Sequence, residues 1–396
     1  MTRSNYIRLD TKPRVTVAIL VVVVITAGLI PLLVWRGARA IIKSNEGHSV
    51  TTSGLPVAQL PPTPVGLIVR AGADGHARDF VLISALPKQA GGWVIQVPAD
   101  VRVDIVDRGT NRLADAFDIG GVALVKQALE SLLQIAIQSA DVVDPSALVT
   151  LLQPYQPFRF TLDQPILNYV NAVRTDTVLP AGAIVLNALD VPRFLDARLN
   201  HQAQLEVLPR QELLWRAVVA SVKSRAQSPA AAGTNAAWIA SLGPGQHAVG
   251  TLAVDASGQA DVARARLLVA QAMPGAVSPA VDGKRYRLVN TTGDIGVAVA
   301  AVNRVIAAGG SVIWESDASP PATKTLFEFG DDANAAFAAS LVPSFKTGVA
   351  QKGTQRIEGI DVTVTLGRGF AAVAAAEAAA PATTTTAPST TATSST

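Results

Sequence analysis

Residues 66–97 of the chain read GLIVRAGADGHARDFVLISALPKQAGGWVIQV. This stretch holds three short apolar runs, Gly66–Arg70, Asp79–Ala85 and Trp93–Val97, which polar or glycine-containing segments separate. Short runs of β-branched and large apolar residues, bounded by turn-forming residues, are typical of buried strands. The stretch therefore predicts three strands near the start of a folded domain.

Helical patterns follow these strands along the chain. After the pair Gly120-Gly121, apolar residues recur with the i, i+3, i+4, i+7, i+8 spacing of one helix face, at Val125, Ala128, Leu129, Leu132 and Leu133. A later helix is predicted to start at Pro209, because proline suits a first helical turn. Residues 237–282 add one predicted strand and one predicted helix. The pattern as a whole predicts a mixed α/β core domain over residues 65–282.

A second, smaller α/β unit is predicted over residues 283–370. A strand at Tyr286–Val289 leads into an Asn-Thr-Thr-Gly turn and then into a helix that Gly309-Gly310 ends. Further strands are predicted at residues 311–315, 325–329 and 360–366. Residues 371–396 are almost only Ala, Thr, Pro and Ser, a composition that predicts a disordered tail.

The N-terminal residues predict a single membrane anchor. Residues 15–35, VTVAILVVVVITAGLIPLLVW, carry no charge, and as a helix they would span the roughly 30 Å hydrocarbon layer of a bilayer. The basic tail 1–14 favours a cytoplasmic N-terminus, so the bulk of this single-pass cell-membrane protein would lie outside the cytoplasm. A cleaved signal peptide is the alternative, with Ala38-Arg39-Ala40 as its cleavage motif, although signal-peptide apolar regions are usually shorter. The polar and then proline-rich residues 36–64 read as a stalk linker.

Composition excludes several classes of function. The chain has no cysteine, which rules out disulfides and thiol chemistry. Its four histidines are scattered without metal-ligand spacing, and no phosphate-binding loop or GxSxG motif occurs. The net charge is only +3 and the basic residues are dispersed, which argues against a nucleic-acid partner. The residues alone indicate an exported, membrane-tethered α/β protein.

Several blocks of the first domain, taken in order, resemble the LytR-CpsA-Psr (LCP) family of cell-envelope proteins. Asp79–Ser84 (DFVLIS) is similar to the family's strand that starts with an acidic residue, and residues 96–103 (QVPADVRV) are similar to its S-I-P-R-D-T-x-V block. Asn111–Gly121 (NRLADAFDIGG) is similar to its K-I-N-A-A-Y-x-x-G-G block. Residues 182–214 resemble an arginine-containing block that ends in R-Q, here Arg210-Gln211. The resemblance covers about residues 65–222.

The second unit resembles the LytR C-terminal domain that often follows in this family. Residues 286–298 (YRLVNTTGDIGVA) are similar to the pattern V-x-V-L-N-G-T-G-x-x-G-x-A, and residues 362–370 (VTVTLGRGF) to V-x-V-x-L-G-x-D-F. The resemblance implies an extracytoplasmic, membrane-anchored protein of cell-wall assembly. Such a protein would transfer glycopolymer from a polyprenyl-pyrophosphate carrier to peptidoglycan by phosphoryl transfer.

The resemblance also implies a set of site residues. Asp79, Asp100 and Arg198 would be catalytic, and Asp79 and Asp100 would hold Mg²⁺ against phosphate oxygens. The substrate-binding residues would be Arg102, Arg112, Arg210 and Gln211. The implied partners are the membrane, a polyprenyl-phosphate lipid and cell-wall glycan.

The chain also departs from the family pattern at the positions that contact phosphate. Ala99 stands where the family has an arginine, and Asp196 stands at the first position of the family's R-x-R. Gln204 and Val207 replace a further acidic–basic pair. Each lost charge-assisted hydrogen bond is worth roughly 1.5–3 kcal/mol. A second hypothesis is therefore a non-catalytic relative that binds carrier lipid, glycan or a partner as a scaffold in the envelope.

Overall fold

The structure, a computed structural model, describes residues 55–60, 63–85, 91–171, 174–199, 202–223, 234–243, 246–276 and 283–380. The predicted anchor 15–35, its tail 1–14 and most of the predicted stalk lie outside the described residues. Within the part of the chain that is described, no helix is both long enough and apolar enough to span a bilayer. The described residues from Pro56 onward belong to one compact unit.

Strands and helices alternate through most of this unit. The strands of the described residues are β1 Val57–Gln59, β2 Val65–Ala71, β3 Ala77–Ala85, β4 Gly91–Val97, β5 Arg102–Ile105, β6 Gly109–Arg112, β7 Ser139–Val143, β8 Phe158–Leu162, β9 Ile166–Asn171, β10 Arg174–Leu179, β11 Gly182–Leu186, β12 Gln246–Thr251, β13 Arg285–Asn290, β14 Ser311–Asp317, β15 Leu326–Phe329, β16 Val349–Lys352, β17 Arg356–Glu358 and β18 Val362–Leu366. The α-helices are α1 Leu113–Leu133, α2 Pro145–Leu152, α3 Val191–Asp196, α4 Gln204–Lys223, α5 Asn235–Ser241, α6 Val262–Ala272, α7 Ile295–Ala307, α8 Ala335–Phe345 and α9 Arg368–Ala379.

A five-stranded mixed sheet forms the centre of the first domain, and its strand order is β12-β4-β3-β2-β7. The three strands predicted from residues 66–97 are its three central strands, with β3 antiparallel to both β2 and β4. Strands β7 and β12 run parallel to their neighbours. The prediction of a mixed α/β core is confirmed.

Helices cover both faces of this sheet. Side chains alternate between the faces along each strand, so apolar strand residues point to both sides and pack against helices on each. Val65, Leu67 and Phe80 face a core that includes residues of α1 and α6. Ile68 and Val81 face the opposite core, which is built with residues of α2, α3, α4 and α5. The result is a three-layer arrangement in which the sheet separates two hydrophobic cores.

A second five-stranded sheet, with strand order β14-β13-β18-β15-β16, organises the C-terminal residues. Tyr286 and Leu288 of β13 lie in its core together with residues of α7, α8 and α9. Helix α6 contributes to both cores: Ala265 and Val269 pack beneath the first sheet, whereas Leu267 packs beneath the second. The C-terminal core thus includes residues that precede the predicted boundary at residue 283, and that boundary stays a prediction.

Parts of the predicted stalk linker and of the predicted disordered tail contain regular structure. Residues 57–59, which read as part of the stalk 36–64, form β1 and pair in parallel with β17. Residues 371–379, predicted to be disordered, belong instead to α9, and that part of the prediction is wrong. The alanine-rich sequence has high helix propensity, and Phe370 and Ala374 are buried in the C-terminal core. The remaining tail residues, 381–396, lie outside the described residues.

Candidate functional site

A buried ion pair lies across the two central strands of the first sheet. Arg70 of β2 and Asp79 of β3 are direct cross-strand neighbours, and Nε of Arg70 lies 2.5 Å from Oδ2 of Asp79. Both residues are buried, with 3% and 7% of their surfaces exposed. Burial raises the pKa of Asp79, and the positive charge of Arg70 opposes that rise. The pair is needed because an unpaired charge in this position would be costly.

The end of α3 places a second carboxylate on the same arginine. Oδ1 of Asp196 lies 2.5 Å from Nη1 of Arg70, and the Asp196 side chain is 38% exposed. On the other side of the pair, Nε2 of Gln211 on α4 donates to Oδ2 of Asp79 at 3.3 Å. Asp79 is therefore enclosed by a guanidinium and an amide, whereas Asp196 is accessible to solvent.

Arg210 joins α4 to the end of α3. Its Nη2 atom donates to the backbone carbonyl oxygens of Leu195, at 2.9 Å, and of Ala197. Carbonyl groups at a helix C-terminus have no partner within the helix, so a cation is favourable there. Burial, together with the positive charges of Arg198 and Arg70, lowers the pKa of Arg210 to about 10.

Arg198 completes the group. Its backbone N–H donates to Oδ1 of Asn168 at 3.2 Å, and its carbonyl oxygen accepts a hydrogen bond from the N–H of Tyr169 at 2.7 Å. Burial lowers the pKa of the Arg198 guanidinium, and the charges of Arg78 and Arg70 lower it further. We call Arg70, Asp79, Asp196, Arg198 and Arg210 the arginine cluster. It combines three guanidinium groups with two carboxylates.

Two residues of the arginine cluster, Arg70 and Asp79, lie at the polar end of an apolar cavity between the first sheet and α4. Arg70, Asp79 and Gln211 line this cavity together with apolar side chains of the sheet and helices, namely Ile68, Val81, Leu148, Leu152, Leu195, Leu214, Trp215 and Val218. Its volume of about 10 Å³ is that of a site for roughly one water molecule. Nη2 of Arg70 is buried, and no described residue accepts a hydrogen bond from it. The cavity thus has an apolar wall and an incompletely satisfied cation.

Three of the predicted site residues lie on the surface near the start of α1. Asp100 lies 3.6 Å from Arg112, which also forms an ion pair with Asp115. Nε of Arg102 donates to the carbonyl oxygen of Ser257 at 3.4 Å. The start of β3 and the end of β4 are adjacent in the sheet, so Asp79 of β3 and Asp100, three residues after β4, lie at the same end of these two strands. Asp79, Arg198, Arg210 and Gln211 are brought together in the buried group, and Asp100, Arg102 and Arg112 in the surface one.

The two carboxylates of the predicted magnesium site each contact other side chains. Oδ2 of Asp79 accepts hydrogen bonds from Arg70 and Gln211, and Asp100 lies beside Arg112 instead. In the part of the chain that the structure describes, no three His, Asp or Glu side chains are grouped as metal ligands would be. Mg²⁺ bound by Asp79 and Asp100 stays a prediction.

Sequence reasoning missed Arg70, and it named Asp196 only as a departure from the family pattern. A signal for Arg70 existed, because a single charge at the end of the apolar run Gly66–Arg70 is unusual in a buried strand. The pairing of Arg70 with Asp79 depends on the register between β2 and β3, which the sequence pattern does not specify.

Ala99 lies in the hydrophobic core rather than at a phosphate-binding surface. It is 6% exposed and belongs to the core on the α1 side of the sheet, and its carbonyl oxygen accepts a hydrogen bond from the N–H of Ala114. Val207, another departure from the family pattern, is fully buried on α4. An arginine at position 99 would therefore place a guanidinium in an apolar environment.

The substitution Ala99→Arg is expected to destabilise the protein by about 2–4 kcal/mol, because it both overpacks the core and buries an unpaired charge. Urea denaturation measures the loss as a lower midpoint. Val106→Arg is the control, since Val106 is 73% exposed and the change should cost less than about 0.5 kcal/mol there. Equal midpoints for Ala99→Arg and the wild type would show that residue 99 has access to solvent.

The chain is similar to known proteins in structure, and no sequence comparison found a match. No protein-family model matches the chain, and no curated protein matches its sequence. Among solved structures, the chain is similar to TagT from B. subtilis, at 17% identity and a TM-score of 0.39, over 52% of this chain and 88% of TagT. A TagT structure with bound octaprenyl pyrophosphate, described as a LytR-CPS2A-psr family protein, shares 15% identity over 52% of this chain and 87% of its own, with a TM-score of 0.37.

A protein from Listeria innocua is also similar, at 16% identity and a TM-score of 0.35, over 49% of this chain and 84% of that protein. These likenesses are distant, and the TM-scores lie below 0.5. TagT belongs to the family that the sequence motifs resemble.

Proposed function

We propose that this chain binds a polyprenyl phosphate or pyrophosphate lipid, with the phosphate at the arginine cluster and the prenyl chain in the apolar cavity. The observation that carries the proposal is the buried Nη2 atom of Arg70, which has no acceptor among the described residues, on a residue that lines a cavity with apolar walls. Arg198 and Arg210 lie close enough to add their positive charges to that of Arg70. A ligand with an anionic head and an apolar chain matches both parts.

The electrostatics of the cluster favour an added anion. Burial and mutual repulsion lower the pKa values of Arg198 and Arg210, which means that their positive charges are costly where they are. A phosphate group would offset that cost, and charge-assisted hydrogen bonds to phosphate are among the strongest that proteins form. Asp196 is the most accessible competitor, since its carboxylate already occupies Nη1 of Arg70.

The apolar part of the cavity must widen to accept a prenyl chain, because it now has room for about one water molecule. Leu148 of α2 lines it on one side and Leu214 and Val218 of α4 on another, so a small outward movement of α4 would enlarge it. Each buried CH₂ group contributes roughly 0.8 kcal/mol, so a chain of several isoprene units would offset that movement.

The resemblance to the LCP family supports a place for this binding in cell-wall assembly. There the chain would act as an extracytoplasmic, membrane-anchored protein that handles a glycopolymer on its lipid carrier. The position of Ala99 in the core and the engagement of Asp79 by Arg70 favour binding over turnover. Transfer of the glycopolymer to peptidoglycan by phosphoryl transfer stays a prediction.

Titration with farnesyl diphosphate, monitored by calorimetry, tests the proposal. Arg198→Gln is expected to weaken binding by about tenfold, the loss of one charge-assisted contact. Asp196→Asn is expected to tighten binding several-fold, because it removes the carboxylate that competes for Arg70. Arg216→Gln is the matched control, since Arg216 is an exposed α4 residue paired with Glu212 and should leave the affinity within twofold.

Two further probes measure the contributions of the phosphate end and the prenyl end of the ligand to the affinity. Farnesol, which lacks the phosphates, and inorganic pyrophosphate, which lacks the chain, are each expected to bind at least tenfold more weakly than farnesyl diphosphate. Unchanged affinity in both Arg198→Gln and Asp196→Asn would overturn the assignment of the arginine cluster. A separate assay tests phosphoryl transfer. It adds a glycan acceptor and Mg²⁺ to the protein and farnesyl diphosphate, and it measures the release of prenyl phosphate.

A further inference from the structure

The C-terminal sheet has a polar face opposite its hydrophobic core. Along β13, Tyr286 and Leu288 are buried in the core, so Arg285 and Arg287 lie on the other face. Thr363 of β18 and Glu328 of β15 continue that face, since Thr363 pairs with both Arg287 and Glu328. We call this surface the polar face of the C-terminal sheet.

Arg287 is held rigidly on the polar face. Its guanidinium stacks on the ring of Trp314 at 3.9 Å from the ring centre, and Nη2 donates to Oγ of Ser316 at 3.3 Å. Nε on the same edge of the guanidinium is buried, and no acceptor for it is found in the described part of the chain. Burial lowers the pKa of Arg287, whereas the charge of Glu328 opposes that shift. A positioned cation therefore has hydrogen-bonding capacity left over.

A cavity of about 140 Å³ opens beside Arg287. Its lining combines a guanidinium, two carboxylates, an amide and hydroxyl groups, contributed by Arg287, Glu328, Asp361, Gln355, Thr354 and Thr363. A second hollow of about 310 Å³ adjoins it and shares Ile357, Ile360 and Asp361 with it. The polar side chains that line only the second hollow are Arg285, Arg356, Asp331 and Asn334. Typical ligand pockets measure roughly 300–1,000 Å³, so the two hollows together suit a ligand of two small units.

We propose that this double cavity binds an acidic saccharide, with the carboxylate of one sugar unit against the guanidinium of Arg287. The hydroxyl groups of the sugar match the amide and hydroxyl side chains of the lining, which can both donate and accept. A carboxylate accepts charge-assisted hydrogen bonds from a guanidinium, which are stronger than those between neutral groups. Glu328 and Asp361 lie in the same lining, so a singly charged carboxylate is favoured over a doubly charged phosphate.

Ligand-detected saturation-transfer NMR on the full chain tests this site with defined probes. D-glucuronate is expected to show a clear signal at millimolar concentration, and D-glucose and inorganic phosphate signals at least fivefold weaker. Arg287→Met keeps an apolar side chain over Trp314 and is expected to remove most of the glucuronate signal. Glu328→Gln is expected to increase it, because a repelling charge is lost.

Arg368→Met is the matched control, since Arg368 is exposed at the start of α9. It should bind glucuronate as the wild type does. Thermal denaturation of each variant establishes that it is folded. An unchanged glucuronate signal in folded Arg287→Met, or a stronger signal from phosphate than from glucuronate, would overturn the proposal. Neither outcome depends on the arginine cluster, so this test is independent of the lipid proposed above.

Discussion

Replacing Asp79 with leucine is expected to lower the free energy of unfolding by about 3–5 kcal/mol, because it leaves the guanidinium of Arg70 in the core without the buried one of its two carboxylate partners. Arg70 is only 3% exposed, so water cannot replace the lost carboxylate. Asp196 still contacts Nη1 of Arg70, which places the expected loss toward the lower end of the range. Urea denaturation followed by circular dichroism measures this loss.

The double variant Arg70→Met/Asp79→Leu separates the loss of an ion pair from the loss of packing. Both new side chains are apolar and of similar size to the old ones, and a buried pair replaced in this way is often close to neutral. We therefore expect the double variant to recover most of the stability that Asp79→Leu loses. The control variant is Glu212→Leu, which removes the exposed ion pair between Glu212 and Arg216 on α4. It should change the free energy of unfolding by less than about 1 kcal/mol. A double variant as unstable as the sum of its two single variants would show that the two charges act separately.

The central strands could be predicted from the sequence because their signal is local. Gly66–Arg70, Asp79–Ala85 and Trp93–Val97 are each apolar and bounded by turn residues, and each falls within a strand of the first sheet. The same holds for the strand at Tyr286–Val289, which lies within β13. Local patterns of this kind do not depend on the rest of the chain.

The site was only partly predictable because its contacts join residues distant in sequence. Arg70 and Asp196 are separated by most of the first domain, and only the docking of α3 brings them together. The motif match also gave no information on burial, so Ala99 read as a missing phosphate contact although its side chain belongs to the core. An aligned position gives the type of side chain. The tertiary packing around that side chain decides whether it faces the core or the binding site.

Helix α6 shows the same limit for domain boundaries. Its sequence predicts a helix, and the structure contains one at Val262–Ala272, yet its side chains divide between two cores. A composition change near residue 283 marks the start of a new strand pattern. The composition change cannot show that the preceding helix α6 also packs on the C-terminal sheet, because a contact between distant elements is not encoded in the local sequence pattern.

The stability of the protein is expected to fall as the pH rises from about 4.5 to about 7, and Glu315 should account for part of that fall. Glu315 of β14 is 6% exposed, and burial raises its pKa from 4.5 to about 7, with Gln271 of α6 opposing the rise through a hydrogen bond. Its Oε1 atom is buried, and no described residue donates to it. In this pH window the folded state binds a proton that the unfolded state has lost, so raising the pH favours unfolding.

Glu315→Gln is therefore expected to stabilise the protein at pH 8 by about 2–3 kcal/mol and to leave its stability nearly unchanged at pH 4.5. Glutamine cannot ionise, and its amide can still form a hydrogen bond with Gln271. Urea denaturation of the wild type and Glu315→Gln at a series of pH values gives the difference, in which the titration of all other groups cancels. Glu358→Gln, at an exposed position of β17, is the control and should follow the wild type at every pH.

A difference between Glu315→Gln and the wild type that stays constant from pH 4.5 to pH 8 would contradict a raised pKa for Glu315. A difference that grows with pH would place the titrating group where α6 meets β14, because Gln271 and Glu315 belong to these two elements. Since α6 also packs beneath the first sheet, ionisation of Glu315 would loosen the contact through which that sheet and the C-terminal sheet share a helix. The pH dependence of unfolding thus tests, with a single carboxylate, whether the two cores are stabilised together.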